Sequence, residues 1–218
     1  MNENKNLSPI QSAMKNTDLT RTDEKNFEQS LISIVSLARQ AAGRSINLMQ
    51  VVSSWLIGYK VVEQEQKGDN RARYGKRVVE IASQTLTERF GSGYSVTNIK
   101  NFRNFYRMFK NLAISQALPD QFKKQIGQAL SDQSSYAIPT NLSWSHYERL
   151  IRVHDSEARM WYMQEAAREQ WDYRTLARNI SSQYYYRMMQ TPSEEGRKEV
   201  EQEMHKLTAD YRFLWQNI

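Results

Sequence analysis

The chain has no cysteine, little glycine or proline and no long unbroken apolar run, and each shortage removes a class of protein. Without cysteine there is no disulfide framework, no thiolate metal site and no cysteine nucleophile. Such a chain needs no redox protection, which fits a cytoplasmic location. With 8 glycines and 4 prolines in 218 residues, and polar positions filled by Gln, Glu, Arg, Lys and Asn, the usage favours helix over strand. A mainly α fold is expected. The most apolar window, INLMQVVSSWLIGYKVV, is broken by Gln50, Ser53, Ser54 and Lys60, and the first residues lack the apolar region of a secretion signal. Neither export nor membrane insertion is expected. There is no G-x-S-x-G, phosphate-binding-loop or dinucleotide glycine pattern, so nothing points to acyl transfer, NTP hydrolysis or hydride chemistry, and no cofactor is expected.

What is present is a hydrophobic fraction of 39%, enough for a real core, and a net charge of +6 that is unevenly spread. Between Arg71 and Lys110 stand nine basic residues: Arg71, Arg73, Lys76, Arg77, Arg89, Lys100, Arg103, Arg107 and Lys110. Only Glu80 and Glu88 oppose them, a local charge of +7 that leaves −1 for the rest. A concentrated basic segment in a near-neutral chain is the footprint of a polyanion partner, although a solvated basic face is also common.

Apolar spacing outlines the organisation. Residues 1–24 are polar, carry Pro9, show no periodicity and read as a disordered arm. From 25 to 110 the pattern predicts a helical domain. Phe27, Leu31, Ile34, Val35 and Ala38 mark one helix, and Ile46, Met49, Val52, Leu56, Tyr59 and Val62 a second. A third is expected from Lys76 to Phe90. Residues 111–142 form a linker with a possible short helix in LPDQFKKQIGQALS. A second helical subdomain follows at 143–190, opening at Ser143 or Ser145, the latter spaced from Glu148 as a capping box. Its later part, DYRTLARNISSQYYYRMM, reads as one helix. At 193–218 the positions Val200, Met204, Leu207, Tyr211 and Leu214 alternate by four and three, the seam of a helix lying on another helix. Docking on the protein's own body is the simpler reading of that seam.

The stretch ERFGSGYSVTNIKNFRNFYRMF, Glu88 to Phe109, concentrates the chemistry. Gly91 and Gly93 suit a tight helix ending and Ser95 suits an N-cap. Beyond them Ile99, Phe102, Phe105, Tyr106 and Phe109 share one arc of the helical wheel, and Thr97, Lys100, Asn101, Asn104 and Arg107 the opposite arc. A helix-turn-helix that reads DNA needs such a second helix, locked by its buried face and offering base-edge donors and acceptors outward. Asn101 and Asn104 suit adenine edges, Lys100 and Arg107 guanine or phosphate, and Thr97 either. Arg71, Arg73, Lys76 and Arg77 suit backbone phosphates. The competing reading is an ordinary amphipathic core helix with a polar outer face. The coincidence of charge peak, glycine corner and amide-rich face favours the DNA reading.

Other constellations carry less. Glu65-Gln66-Lys67 matches the Glu-x-Lys half of a restriction-type nuclease signature, but it ends a helix, with no upstream aspartate on a strand. The match is coincidental. His146, His154 and His205 are too scattered for a motif, and surface or capping roles are expected. Trp144, Tyr147, Trp161 and Trp171 should be core, and Tyr184, Tyr185 and Tyr186 cannot all face inward.

The blocks SWLIGYKVVEQEQKGDNRARYGKRVVEIASQTLTERFGSGYSVTNIKNFRNFYRMF and LSWSHYERLIRVHDSEARMWYMQEAAREQWDYRTLARNISSQYYYRM resemble the N-terminal region of the bacterial YhcG-type proteins. The resemblance runs from about residue 30 to 190. In that family a helical domain of unknown function, regarded as a winged helix-turn-helix, precedes a PDDEXK nuclease domain. The resemblance implies a DNA-targeting or assembly module. It transfers no catalytic residue, because the nuclease carboxylates and lysine have no counterpart here, and the 111–142 linker is long for a β wing. DNA is therefore the expected partner, with a nuclease domain or subunit as a second. The alternative is an oligomerisation or partner-binding scaffold using the C-terminal helix.

Overall fold

A computed structural model describes residues 21–41, 46–67, 71–114 and 136–216. Every regular element among them is a helix, the mainly α architecture that the composition implies. β pairing among the described residues is confined to one isolated bridge, Leu112 with Tyr136. The arm up to residue 20, the expected short helix at 118–131 and most of the segment where a wing would stand lie outside the described residues. By chain contact the protein divides into two compact units, one up to Ile138 and one from Pro139.

The first unit holds α1 (Arg21–Ala41), α2 (Ile46–Glu65), α3 (Arg71–Phe90) and α4 (Val96–Met108). α1 begins earlier than expected. Asp23 and Glu24 in its first turn favour the positive end of the helix, and Glu24 is also ion-paired to Arg77 of α3. α3 likewise starts at Arg71 rather than Lys76. α2 is the hub. From Met49 to Gly58 all but Gln50 are buried, because α1, α3 and α4 all pack against it. Ile46, expected on the apolar side, is 71% exposed, since it precedes the first buried turn.

α4 lies across α2 at Gly58, with Ile99, Phe102, Phe105 and Phe109 buried. Trp55 of α2 donates its Nε1–H to the Phe109 carbonyl at 3.0 Å, capping the end of α4 from outside the helix. The Tyr106 ring meets Trp55 edge-on at 4.9 Å and Tyr59 at 5.4 Å. At the other end the corner has the expected chemistry. Gly91 (φ +86°) and Gly93 (φ +116°) take left-handed conformations, and Ser95 Oγ accepts the Asn98 N–H at 3.3 Å. Beyond α4 the Ala113 N–H donates to the Tyr136 carbonyl at 2.7 Å.

The second unit holds α5 (Trp144–Leu150), α6 (Ser156–Arg168), α7 (Tyr173–Ser181), α8 (Tyr184–Gln190) and α9 (Glu194–Gln216). One open alternative is decided and one expectation is corrected. The cap of α5 is Ser143, not a Ser145–Glu148 box: His146 Nδ1 accepts the Ser143 N–H at 3.1 Å, while Nε2 reaches the Trp171 carbonyl at 2.9 Å. His146 is thus a capping residue with both ring nitrogens engaged. The segment 173–190 is two helices, not one, broken where Gln183 turns left-handed (φ +55°). The buried Tyr162 explains the break. Its hydroxyl donates to the Asn179 carbonyl at 3.1 Å and accepts the Tyr185 N–H at 3.0 Å, so one side chain satisfies backbone groups on both sides.

Tyr184 is buried and Tyr186 is 38% exposed, as three consecutive tyrosines on a helix require. Trp161 and Trp171 both pack against Tyr184. α9 docks on its own unit through the buried Met204, and Arg178 of α7 donates to the Leu207 carbonyl at 2.9 Å. Leu207, next in the seam, is 43% exposed. The side chains of Tyr211 and Leu214 lie outside the described residues.

Candidate nucleic-acid interface

The residues that end α2, open α3 and run along α4 enclose a cleft of about 920 Å³. α4 contributes Val96, Lys100, Arg103 and Arg107, which recur every four, three and four residues and so form one row. Lys110 follows, Lys76 and Glu80 come from α3, and Glu65 comes from the last turn of α2. Five cations thus face two carboxylates, an excess of three positive charges.

Glu65 organises the floor of this cleft. One carboxylate oxygen accepts from Arg103 Nη1 at 2.8 Å and the other from Arg107 Nη2 at 2.7 Å. The Glu65 side chain is 10% exposed, whereas Arg107 keeps half of its surface open. The room for that carboxylate comes from Gly75 of α3, where a Cβ would lie 3.0 Å from Glu65 Oε1. Behind the row Tyr106 has its phenol pKa raised by burial and then by the nearby Glu63, and burial with Glu63 pushes that of Tyr59 up to about 12. Both stay neutral near pH 7.

The residues nominated from sequence divide over this surface. Lys100, Arg107 and Lys76 line the cleft. Thr97, Asn101 and Asn104 recur with the same period one step around α4 and form an adjacent row. Thr97 is exposed, and Asn101 and Asn104 are half-buried. Arg77 is ion-paired to Glu24 of α1, and the side chains of Arg71 and Arg73 lie outside the described residues. The wheel read from sequence does not single out Arg103, Lys110 or Glu65. Arg103 was legible as the missing member of the Lys100–Arg107 row. Glu65 was not, since its partners lie 38 and 42 positions away in the chain.

The model of the DUF1016 N-terminal domain matches residues 30–187, most of the chain and all three helices that build this cleft. The chain belongs to the DUF1016 N-terminal domain family. A relative in Escherichia coli (strain K12), named "Putative nuclease YhcG", is 30% identical over 173 residues. The aligned part is 73% of the DUF1016 chain and 45% of that protein, so the chain spans less than half the length of the relative it matches. No solved structure matches the chain significantly. Among the described residues of this DUF1016 domain no helix is long and apolar enough to cross a membrane, and no group of three or more His, Asp or Glu side chains is placed to hold a metal ion.

Proposed function

We propose that this chain is the DNA-targeting module of a nuclease-family protein, with α3 and α4 as a helix-turn-helix and α4 as its recognition helix. The observation that carries the reading is the adjacency of two rows on one helix. Lys100, Arg103 and Arg107 form a cationic row, and Thr97, Asn101 and Asn104 a row of hydroxyl and amides beside it. Amides suit the paired donor and acceptor of adenine, and cations suit guanine edges and phosphates. Lys76, with Arg71, Arg73 and Arg77, would add phosphate contacts that supply affinity without specificity. The name of the E. coli relative supports the partner, because a nuclease requires nucleic acid. In this reading the present residues deliver and do not cleave, and strand scission belongs to a further domain or subunit in the cytoplasm.

Duplex binding measured at several salt concentrations tests the reading. The wild type should show a steep negative slope of log affinity against log salt. A Lys100→Ala/Asn104→Ala/Arg107→Ala variant should lose about 0.9 of that slope per phosphate-bound cation removed. Equal affinity and slope in the variant would dismiss α4 as the recognition helix.

A second reading rests on Leu207, 43% exposed within the four-three seam of α9. In it α9 continues past its own unit to join a second copy of the chain. Light scattering of a Leu207→Glu variant should then show a fall in oligomer size, and an unchanged size removes this reading.

A further inference from the structure

We infer that the α2–α3–α4 cleft is a site for a small nucleoside polyphosphate, beside the row of Thr97, Asn101 and Asn104 that would face a duplex. Its volume of about 920 Å³ falls in the range of small-molecule sites, roughly 300–1,000 Å³. Its floor is recessed and its rim is open: the side chains of Arg103 and Glu65 are 23% and 10% exposed, while Lys76, Lys100, Arg107 and Lys110 stand exposed around them, a shape that a slender chain of phosphoryl groups can enter.

Glu65 shows which geometry the floor accepts. Two oxygens on one centre, each taken by a different guanidinium, is an arrangement that a phosphoryl group reproduces with its own oxygens. The carboxylate uses one nitrogen of Arg107 and leaves that half-exposed fork with donors to spare. Lys100 and Lys110 have no ion-pair partner among the described residues, and the excess of three positive charges is unneutralised from within the cleft. That excess calls for a ligand bearing about three or four negative charges. Val62 and Val96 with the Tyr106 ring form an apolar stretch of the remaining wall, beside Gln66, and offer a face for a base rather than for a further phosphate.

This site would share Lys100, Arg103 and Arg107 with the proposed DNA face, so its ligand would act as a competitor of DNA. Calorimetry on the full chain with ATP as the probe tests it, with inorganic tripolyphosphate in a parallel arm. ATP should bind, and a Lys100→Ala/Lys110→Ala variant should weaken it at least tenfold, while Thr97→Ala/Asn104→Ala should leave it unchanged. Circular dichroism of each variant confirms an intact helical content. Tripolyphosphate should bind more weakly than ATP. Equal binding overturns the nucleoside part of the assignment, and failure of ATP to bind, or its undiminished binding to the lysine variant, overturns the site. Saturating ATP should also lower duplex affinity. The two readings fail separately: a chain that binds duplex but not ATP loses only the cleft assignment, and one that binds ATP but not duplex loses only the DNA assignment.

Discussion

A methyl group added to Gly58 would stand 2.1 Å from the carbonyl oxygen of Phe102 and 3.0 Å from Cβ of Tyr106. The backbone of α4 therefore approaches α2 as closely as a glycine allows, and this contact sets the angle at which α4 presents its two polar rows. Gly58→Ala would gain about 1 kcal/mol of helix propensity but lose more by overpacking against backbone that has no rotamer to change. We expect a net loss of about 2 kcal/mol in urea unfolding, with weaker duplex binding in the same variant. A neutral or stabilising result would mean that α4 can shift freely on α2.

The Glu65 carboxylate restrains two guanidinium groups, so removing its charge has opposite consequences for stability and for anion binding. Glu65→Gln should destabilise the fold by about 1–3 kcal/mol, discounted for the half-exposed Arg107. It should also strengthen duplex binding and steepen the salt slope by about 1 per released cation. A variant that is destabilised but has the wild-type slope would show that Arg103 and Arg107 never face nucleic acid.

Tyr162 holds the break between α7 and α8, and its test is the mildest available substitution. Tyr162→Phe keeps the ring contacts with Trp161 and Tyr185 while removing the hydroxyl from the Asn179 carbonyl and the Tyr185 N–H. Leaving the Tyr185 N–H unpaired, with the Asn179 carbonyl keeping only the Ser182 hydroxyl at 3.1 Å, should cost about 1–3 kcal/mol. A loss below about 0.5 kcal/mol would mean that water or a continuous α7–α8 helix replaces the hydroxyl.

The second unit should fail at high pH. Burial pushes the pKa of Tyr162 and of Tyr184 up to about 12, and raises that of Tyr147 further, from an ordinary value of 10.0. An unfolded chain loses these protons first. Stability from the three neutral phenols is therefore complete below pH 10 and falls as pH rises through about 12. Tyrosinate absorbance and circular dichroism followed together should show these rings ionising only as the helices melt. Ionisation of all tyrosines near pH 10 with helices intact would contradict the burial.

What was legible in the sequence was whatever repeats within a helix or caps one. The spacing of Ile99, Phe102, Phe105 and Phe109 marked the buried face of α4, and Gly91, Gly93 and Ser95 marked the corner, because each acts over a few residues. The Ser143 cap was half legible: the serine is visible, but a histidine replaces the usual acid three positions on, so the commoner Ser145–Glu148 spacing competed with it. The break at Gln183 was hidden, since the hydroxyl that supports it comes from Tyr162 on another helix. The same limit applies to the site. Lys100 and Arg107 could be placed on one side of a helix, whereas the fixing of Arg107 by Glu65, and the role of Gly75 in making room for that carboxylate, exist only once α2, α3 and α4 are packed.

The pairing of Leu112 with Tyr136 reaches beyond the few hydrogen bonds that form it. The described backbone on either side of residues 115–135 is joined at Leu112, Ala113 and Tyr136, so both ends of that segment are anchored at one place whatever its own course. For a segment closed at its base, doubling the length costs only about 0.6 kcal/mol of closure entropy. An engineered insertion such as a tag or a sensor between residues 115 and 135 is therefore expected to leave the contacts between α2 and α4 as they are, since both ends of the segment stay fixed at the Leu112–Tyr136 bridge.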